Sequence, residues 1–207
     1  MIPWQRRWPG RMGDNDPSMR NPFDQYTQPE NRLTHALACT LEADRALIRP
    51  FLAWAGVRDV PPEGTLQITQ QQVPGVPVSG DETEAERKGV PDACIYGRDG
   101  WAVLFEAKVQ AGVSADQLRR HVAFARRCGF LRVTLVLLSV DPPPPGIPEG
   151  TIWLAWREVY RWFRERAKGS QAARTLTQYM EVFESRMIAR DYGIRGTITM
   201  FDGLRFD

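Results

Sequence analysis

Pro91-Asp92-Ala93-Cys94-Ile95-Tyr96-Gly97-Arg98-Asp99-Gly100-Trp101-Ala102-Val103-Leu104-Phe105-Glu106-Ala107-Lys108 reads as two strands joined by a tight turn. Residues 92–96 and 101–109 are apolar on both faces, the pattern of strands buried between helices. Between them, Arg98-Asp99-Gly100 suits a three-residue hairpin loop with glycine at its left-handed end. That loop puts Asp99 at the centre of the hairpin and Asp92 directly opposite Glu106. Opposed residues of an antiparallel pair share a face, with Cβ atoms about 4.5–5.5 Å apart. Lys108 lies two residues beyond Glu106 and shares that face as well. A two-residue loop would instead turn Asp92 to the other side, so the arrangement depends on one residue of register.

Two carboxylates this close repel unless a cation lies between them. Mg²⁺ or Mn²⁺ accepts one or two carboxylates and fills its shell with water and phosphate oxygens. Asp92 and Glu106 are therefore the expected metal ligands, and the Ala107 carbonyl could add an oxygen. Such an ion would polarise a scissile phosphate and acidify a bound water, and Lys108 would orient that water or stabilise developing charge. The lysine is informative against its background. Of 27 Lys plus Arg, only Lys88, Lys108 and Lys168 are lysines. Lysine is a compact charge whose pKa moves readily on burial, whereas arginine is planar and always protonated. The rival reading is a hairpin bearing a surface carboxylate pair with a lysine counter-charge. Against it, charges rarely occur unpartnered in a run as apolar as Trp101 to Val109.

Outward from this hairpin the chain alternates helices and strands. A helix is expected from about Glu30 to Trp54, with Leu33, Leu37, Leu41, Ile48 and Phe51 at helical spacing and Pro50 kinking or ending its first stretch. Thr27-Gln28-Pro29-Glu30 has the form of a capping box. Glu30 is either the capping acid for Thr27 or, on the face of Leu33 and Leu37, a site residue aimed at the sheet. Residues 65–71 predict a strand, and residues 73–90 a Pro/Gly-rich, acidic loop. Ser114 to Arg127 is an amphipathic helix, Leu131 to Val140 a buried strand, Pro142 to Pro145 a break, and Thr151 to Ala155 a strand leading into a helix to about Lys168. Ala172 to Ala189 is a last helix, and the tail from Gly196 is extended. The expected fold is an α/β sandwich with a central mixed β-sheet flanked by helices. It divides into a flexible arm (1–25), a core (26–168) and a C-terminal helix with its tail (169–207).

On the 114–127 helix, Gln117 and His121 are spaced i, i+4. Gln117 either completes a capping box with Ser114 or holds a water or phosphate at the rim of the site. His121 is expected as a phosphate or network contact ahead of a general base. His35 is most simply a helix-surface or core histidine. Arg119, Arg120, Arg126, Arg127 and Arg132 cluster on and after this helix and suit phosphate contact without sequence information. Arg157, Arg161, Arg164 and Arg166 on the later helix read as a solvated face.

Composition bounds the remainder. The chain has 207 residues, 43% of them hydrophobic, enough for one domain with a sizeable core. A net charge of +2 does not by itself announce a nucleic-acid binder. Cys39, Cys94 and Cys128 form neither a disulfide framework nor a metal knuckle, which points to a reducing cytoplasm. No run is long and apolar enough for a membrane span. Two histidines are too few for most zinc hydrolases.

At Pro91-Asp92 and Glu106-Ala107-Lys108 the chain resembles the PD-(D/E)XK nuclease superfamily, the restriction-endonuclease-like fold. The element order from about Glu30 to Lys168 is similar to that family's core. Gln117 with His121 resembles the Gln-x-x-x-Tyr helix motif of its RecB-like branch, with His121 in the tyrosine's place. The resemblance implies a metal-dependent nuclease, with Asp92 and Glu106 as ligands, Lys108 catalytic and Glu30 as the family's frequent N-terminal helix acid, and it implies no substrate. The leading expectation is a Mg²⁺- or Mn²⁺-dependent deoxyribonuclease, with DNA as its partner. A homodimer is expected if both strands are cut, and a partner protein or further segment would supply specificity. Defence or DNA processing follows from the resemblance alone. The alternatives are a catalytically silent scaffold or nucleic-acid-binding module, and RNA as substrate.

Overall fold

The computed structural model describes residues 28–71, 89–109 and 112–190, with side chains to residue 184. The expectations for the 1–25 arm, most of the 73–90 loop and the tail from Gly196 lie outside these residues. Among the described residues the elements are α1 (Pro29–Ala43), α2 (Ile48–Trp54), β1 (Gln67–Gln70), β2 (Ala93–Tyr96), β3 (Trp101–Lys108), α3 (Ala115–Arg127), β4 (Arg132–Ser139), β5 (Ile152–Ala155), α4 (Trp156–Arg166) and α5 (Gln171–Arg190). The five strands form one mixed sheet in chain order. β1–β2–β3 pair antiparallel, and β3–β4–β5 pair parallel.

The hairpin has the register the turn chemistry dictates, with Ala93 opposite Phe105 and Tyr96 opposite Ala102. Gly97 N–H donates to the Trp101 carbonyl at 2.9 Å and closes the three-residue loop. Gly100 takes φ +65°, the left-handed conformation that glycine adopts without strain. The Gly100 carbonyl also accepts the amides of Leu131 and Arg132, at 2.8 and 3.0 Å, and ties the hairpin tip to the start of β4.

β3 is buried on both faces. Trp101, Val103, Phe105 and Ala107 join α1, α2, α4 and α5 in the larger core, while Ala102 and Leu104 join Leu118, Phe124 and Ala125 of α3 in the smaller one. Burying a Leu- or Phe-sized side chain is worth about 1.5–3 kcal/mol, so β3 is pinned from both sides and its C-terminal end is a rigid platform. α5 contributes Ala173, Leu176, Tyr179, Met180 and Phe183 to the larger core, so its N-terminal turns belong to the same packed body.

The expected break at Pro50 falls earlier, at Asp44, where φ is −132° and ψ 82°. Pro50 instead occupies the first turn of α2, where a missing N–H costs nothing. Asp44 leaves the helix to receive the Ser170 hydroxyl on Oδ2 at 2.5 Å, and the same Ser170 oxygen accepts the Ala173 amide at the start of α5. A contact distant in sequence thus sets the end of α1. The connection from β4 to β5 crosses the α3 side of the sheet, where Ile147 packs on the smaller core and the Gly146 carbonyl accepts Arg119. No helix among the described residues is long and apolar enough to cross a membrane.

Candidate metal and phosphate site

The alternation along β3 decides which way its charges face. Glu106 and Lys108 fall on the α3 side with Ala102 and Leu104, and Asp92, continuing the β2 register, falls there too. Asp92, Glu106, Ala107, Lys108, Gln117 and Glu30 line one cleft of about 480 Å³, closed at one side by Gln28, Pro29 and Asn31. The N-terminal turns of α1 and α3 both reach it.

Glu106 is the centre of this arrangement and is only 1% exposed. Its Oε1 lies 2.7 Å from Lys108 Nζ and accepts a hydrogen bond from Gln117 Nε2 at 2.7 Å. Its Oε2 lies 3.1 Å from His121 Nε2, an ion-pair approach that is not aligned as a hydrogen bond. Burial alone would raise the Glu106 pKa, but His121 and then Lys108 outweigh it and hold the carboxyl below its usual range. His121 is shifted the other way: burial would lower it, and Glu106 raises it above its ordinary value.

Asp92 Oδ2 accepts the Ala107 amide at 2.8 Å. Burial first, and the Glu106 charge second, push its carboxyl up to about 7. The two acids are therefore unequal: Glu106 holds its countercharges closely, and Asp92 does not. Glu30 Oε1 accepts the Val109 amide at 3.3 Å, so α1 reaches the end of β3 through this acid. Thr27, its rival partner, lies outside the described residues.

Gln117 divides the two roles expected of it. Its backbone amide donates to the Ser114 cap at 3.3 Å, and its side chain goes to Glu106. His121 is fully buried and its Nδ1 lies 2.9 Å from the Gly89 carbonyl, so its place is in the network behind the cleft and not on a surface that meets a nucleic acid. Arg119 and Arg126 do not join the cleft. They line a separate hollow of about 410 Å³ with Thr134, Glu149 and Thr151. At about 100° per residue, Arg119 sits about 200° round α3 from Gln117, which explains the separation. Arg120 is exposed on α3. Arg166 stacks on Trp162 at 3.7 Å from the ring centroid, a structural contact. His35 is half-buried, with Nδ1 2.6 Å from Gln70 Oε1. Sequence reasoning did not anticipate the tie from His121 to Gly89. The available signal was the apolar face of α3, which His121 shares with Leu118 and Ala125.

The donor chemistry fits a hard divalent cation: two carboxylates at one cleft, one of them short of countercharge. No three His, Cys, Asp or Glu side chains among the described residues are grouped to hold an ion by themselves, so water and phosphate oxygens would complete the shell. Both Oε1 contacts of Glu106 are occupied by nitrogen donors, so an ion taking that oxygen competes with Lys108 or Gln117.

The inequality of the acids has a measurable consequence. Asp92 folds with a carboxyl raised from 3.8 to about 7, so the folded state keeps a proton that the unfolded chain has released. Without a cation, this group lowers stability progressively as pH rises through that interval. Asp92→Asn keeps an acceptor for the Ala107 amide and removes the charge. Thermal denaturation in EDTA should show it about 1–3 kcal/mol more stable than wild type at pH 8 and nearly equal near pH 4. A difference independent of pH would contradict this.

No protein-family model, curated protein or solved structure matches this chain.

Proposed function

We propose that this chain is a Mg²⁺- or Mn²⁺-dependent nuclease that hydrolyses phosphodiester bonds of DNA, built on a restriction-endonuclease-like version of its five-stranded α/β fold. The observation that carries this reading is the meeting of Asp92, Glu106 and Lys108 at one cleft, with Glu30 and Gln117 on its walls. Asp92 and Glu106 would hold the ion. When bound, it would supply Lewis-acid polarisation of the phosphate and acidify a water. Lys108, 13% exposed, presents an ammonium at the cleft, where it can bind a phosphate oxygen and stabilise negative charge as it develops. Gln117 keeps Oε1 of Glu106 oriented, and Glu30 fixes the end of β3. Arg120, exposed on α3, is the nearest of the expected arginine contacts in helical position to Gln117.

One observation favours the rival, a catalytically silent scaffold or nucleic-acid-binding module. Glu106 is enclosed within the protein by Lys108, Gln117 and His121, as in a structural network. The test is cleavage of labelled double-stranded DNA, single-stranded DNA and RNA with Mg²⁺ or Mn²⁺, beside EDTA controls. Cleavage of DNA that stops in EDTA is expected. Cleavage of RNA alone would move the substrate, and cleavage of nothing would favour the silent reading.

A further inference from the structure

Asp92 lies just outside β2, so the β2–β3 ladder does not itself hold it. Its backbone carbonyl accepts the Gln71 amide at 3.0 Å, and its carboxyl accepts the Ala107 amide. Its neighbour Glu106 repels it. The chain leading into it passes Gly89, whose carbonyl is 2.9 Å from His121 Nδ1. A carbonyl only accepts, so Nδ1 must carry the proton and donate. The other ring nitrogen faces Glu106 Oε2 at 3.1 Å. Both contacts of the ring are buried, and His121 is 0% exposed. One rigid ring on α3 thus touches both the backbone approaching Asp92 and the carboxylate of Glu106. With Oε2 turned to the ring, Oε1 is left to Lys108 and Gln117, which line the cleft.

We propose that His121 is a positioning residue: its ring braces the chain at Gly89 against Glu106, and so holds Asp92 and Glu106 at one cleft with Oε1 of Glu106 presented. The proposal rests on the reading of these two acids as the working pair. It makes α3 part of the site's geometry without contact to substrate, as outer partners do for metal ligands generally.

The test compares the full chain with His121→Phe, which keeps a ring and removes both polar links. Amide hydrogen exchange is the first readout. The Ala107 amide, bonded to Asp92, should exchange about tenfold faster in the variant, while the Gly97 amide at the hairpin tip stays within twofold. Mn²⁺ affinity by calorimetry should fall by about 10–100-fold. Unchanged Ala107 exchange, or equal acceleration along all of β3, would reduce His121 to core packing and overturn the proposal. Should the variant not fold, imidazole ¹⁵N shifts of the wild type decide: a protonated Nδ1 supports the brace and an unprotonated one overturns it. A wild type that binds no Mn²⁺ would count against the metal reading alone, because Ala107 exchange and the ring nitrogens report on the brace without a metal.

Discussion

Lys108→Arg will fold as the wild type does and will lose metal-dependent cleavage by about 10²–10³-fold, close to the loss in Lys108→Ala. Arginine preserves the positive charge and an ion pair with Glu106, and a cleft of about 480 Å³ has room for it. If Lys108 were only a counter-charge for Glu106, arginine would serve. The compact ammonium 2.7 Å from Oε1 can instead turn a second N–H to a phosphate oxygen or a water while keeping its ion pair, which a planar fork cannot do in the same space. The arginine bias of the chain sharpens the test, since lysine persists here while arginine is used almost everywhere else. Steady-state cleavage with both variants, alongside their melting temperatures, checks it. Full activity in Lys108→Arg would return this lysine to a structural role.

The largest effect on stability is expected from Glu106→Ala. Removing this carboxylate strands Lys108 and the buried His121 and opens a hole beneath the sheet. Breaking a buried ion pair by deleting one partner costs about 3–5 kcal/mol. For a chain of this size each kcal/mol lowers Tm by about 2–4 °C. The pH dependence follows from the two shifts. Glu106 is held below its ordinary 4.5, so its contribution is present above that value and is lost as pH falls through the depressed one. His121 is raised above 6.5, so its contribution is complete below 6.5 and is lost as pH rises through the raised value. The penalty in Glu106→Ala should be greatest between about pH 4.5 and 6.5 and shrink on both sides. Glu106→Gln, which keeps shape and an acceptor, should cost less. A Glu106→Ala protein as stable as wild type at pH 6 would show that the network contributes nothing to folding.

How much of this was legible in the sequence follows from what each feature depends on. The hairpin register depends on local turn chemistry and strand periodicity, so Arg98-Asp99-Gly100 and the flanking apolar runs were sufficient to put Asp92 and Glu106 on one face. The boundaries of β2 to β5 and of α3 followed from the same periodicities, to within a residue or two. The end of α1 did not, because it rests on Asp44 meeting Ser170 across the fold. Pro50 was the stronger local signal, yet a first-turn position removes its cost. Glu30 and Gln117 were visible as candidates with two uses each. Choosing between the uses needed the packing of α1 and α3 against the end of β3. Clustering along the chain groups Arg119 and Arg126 with the site, whereas their angle around α3 separates them from it. His121 was legible as inward-facing, but its hold on Gly89 spans a connection that no local pattern fixes.

The central claim is that Asp92 and Glu106 form a divalent-cation site. Calorimetric titration of Mn²⁺ into the metal-free wild type and into Asp92→Ala tests it most directly. The account predicts saturable binding by the wild type and affinity weakened by at least about 10–100-fold in the variant. Equal binding by both proteins, or none by the wild type, would contradict it.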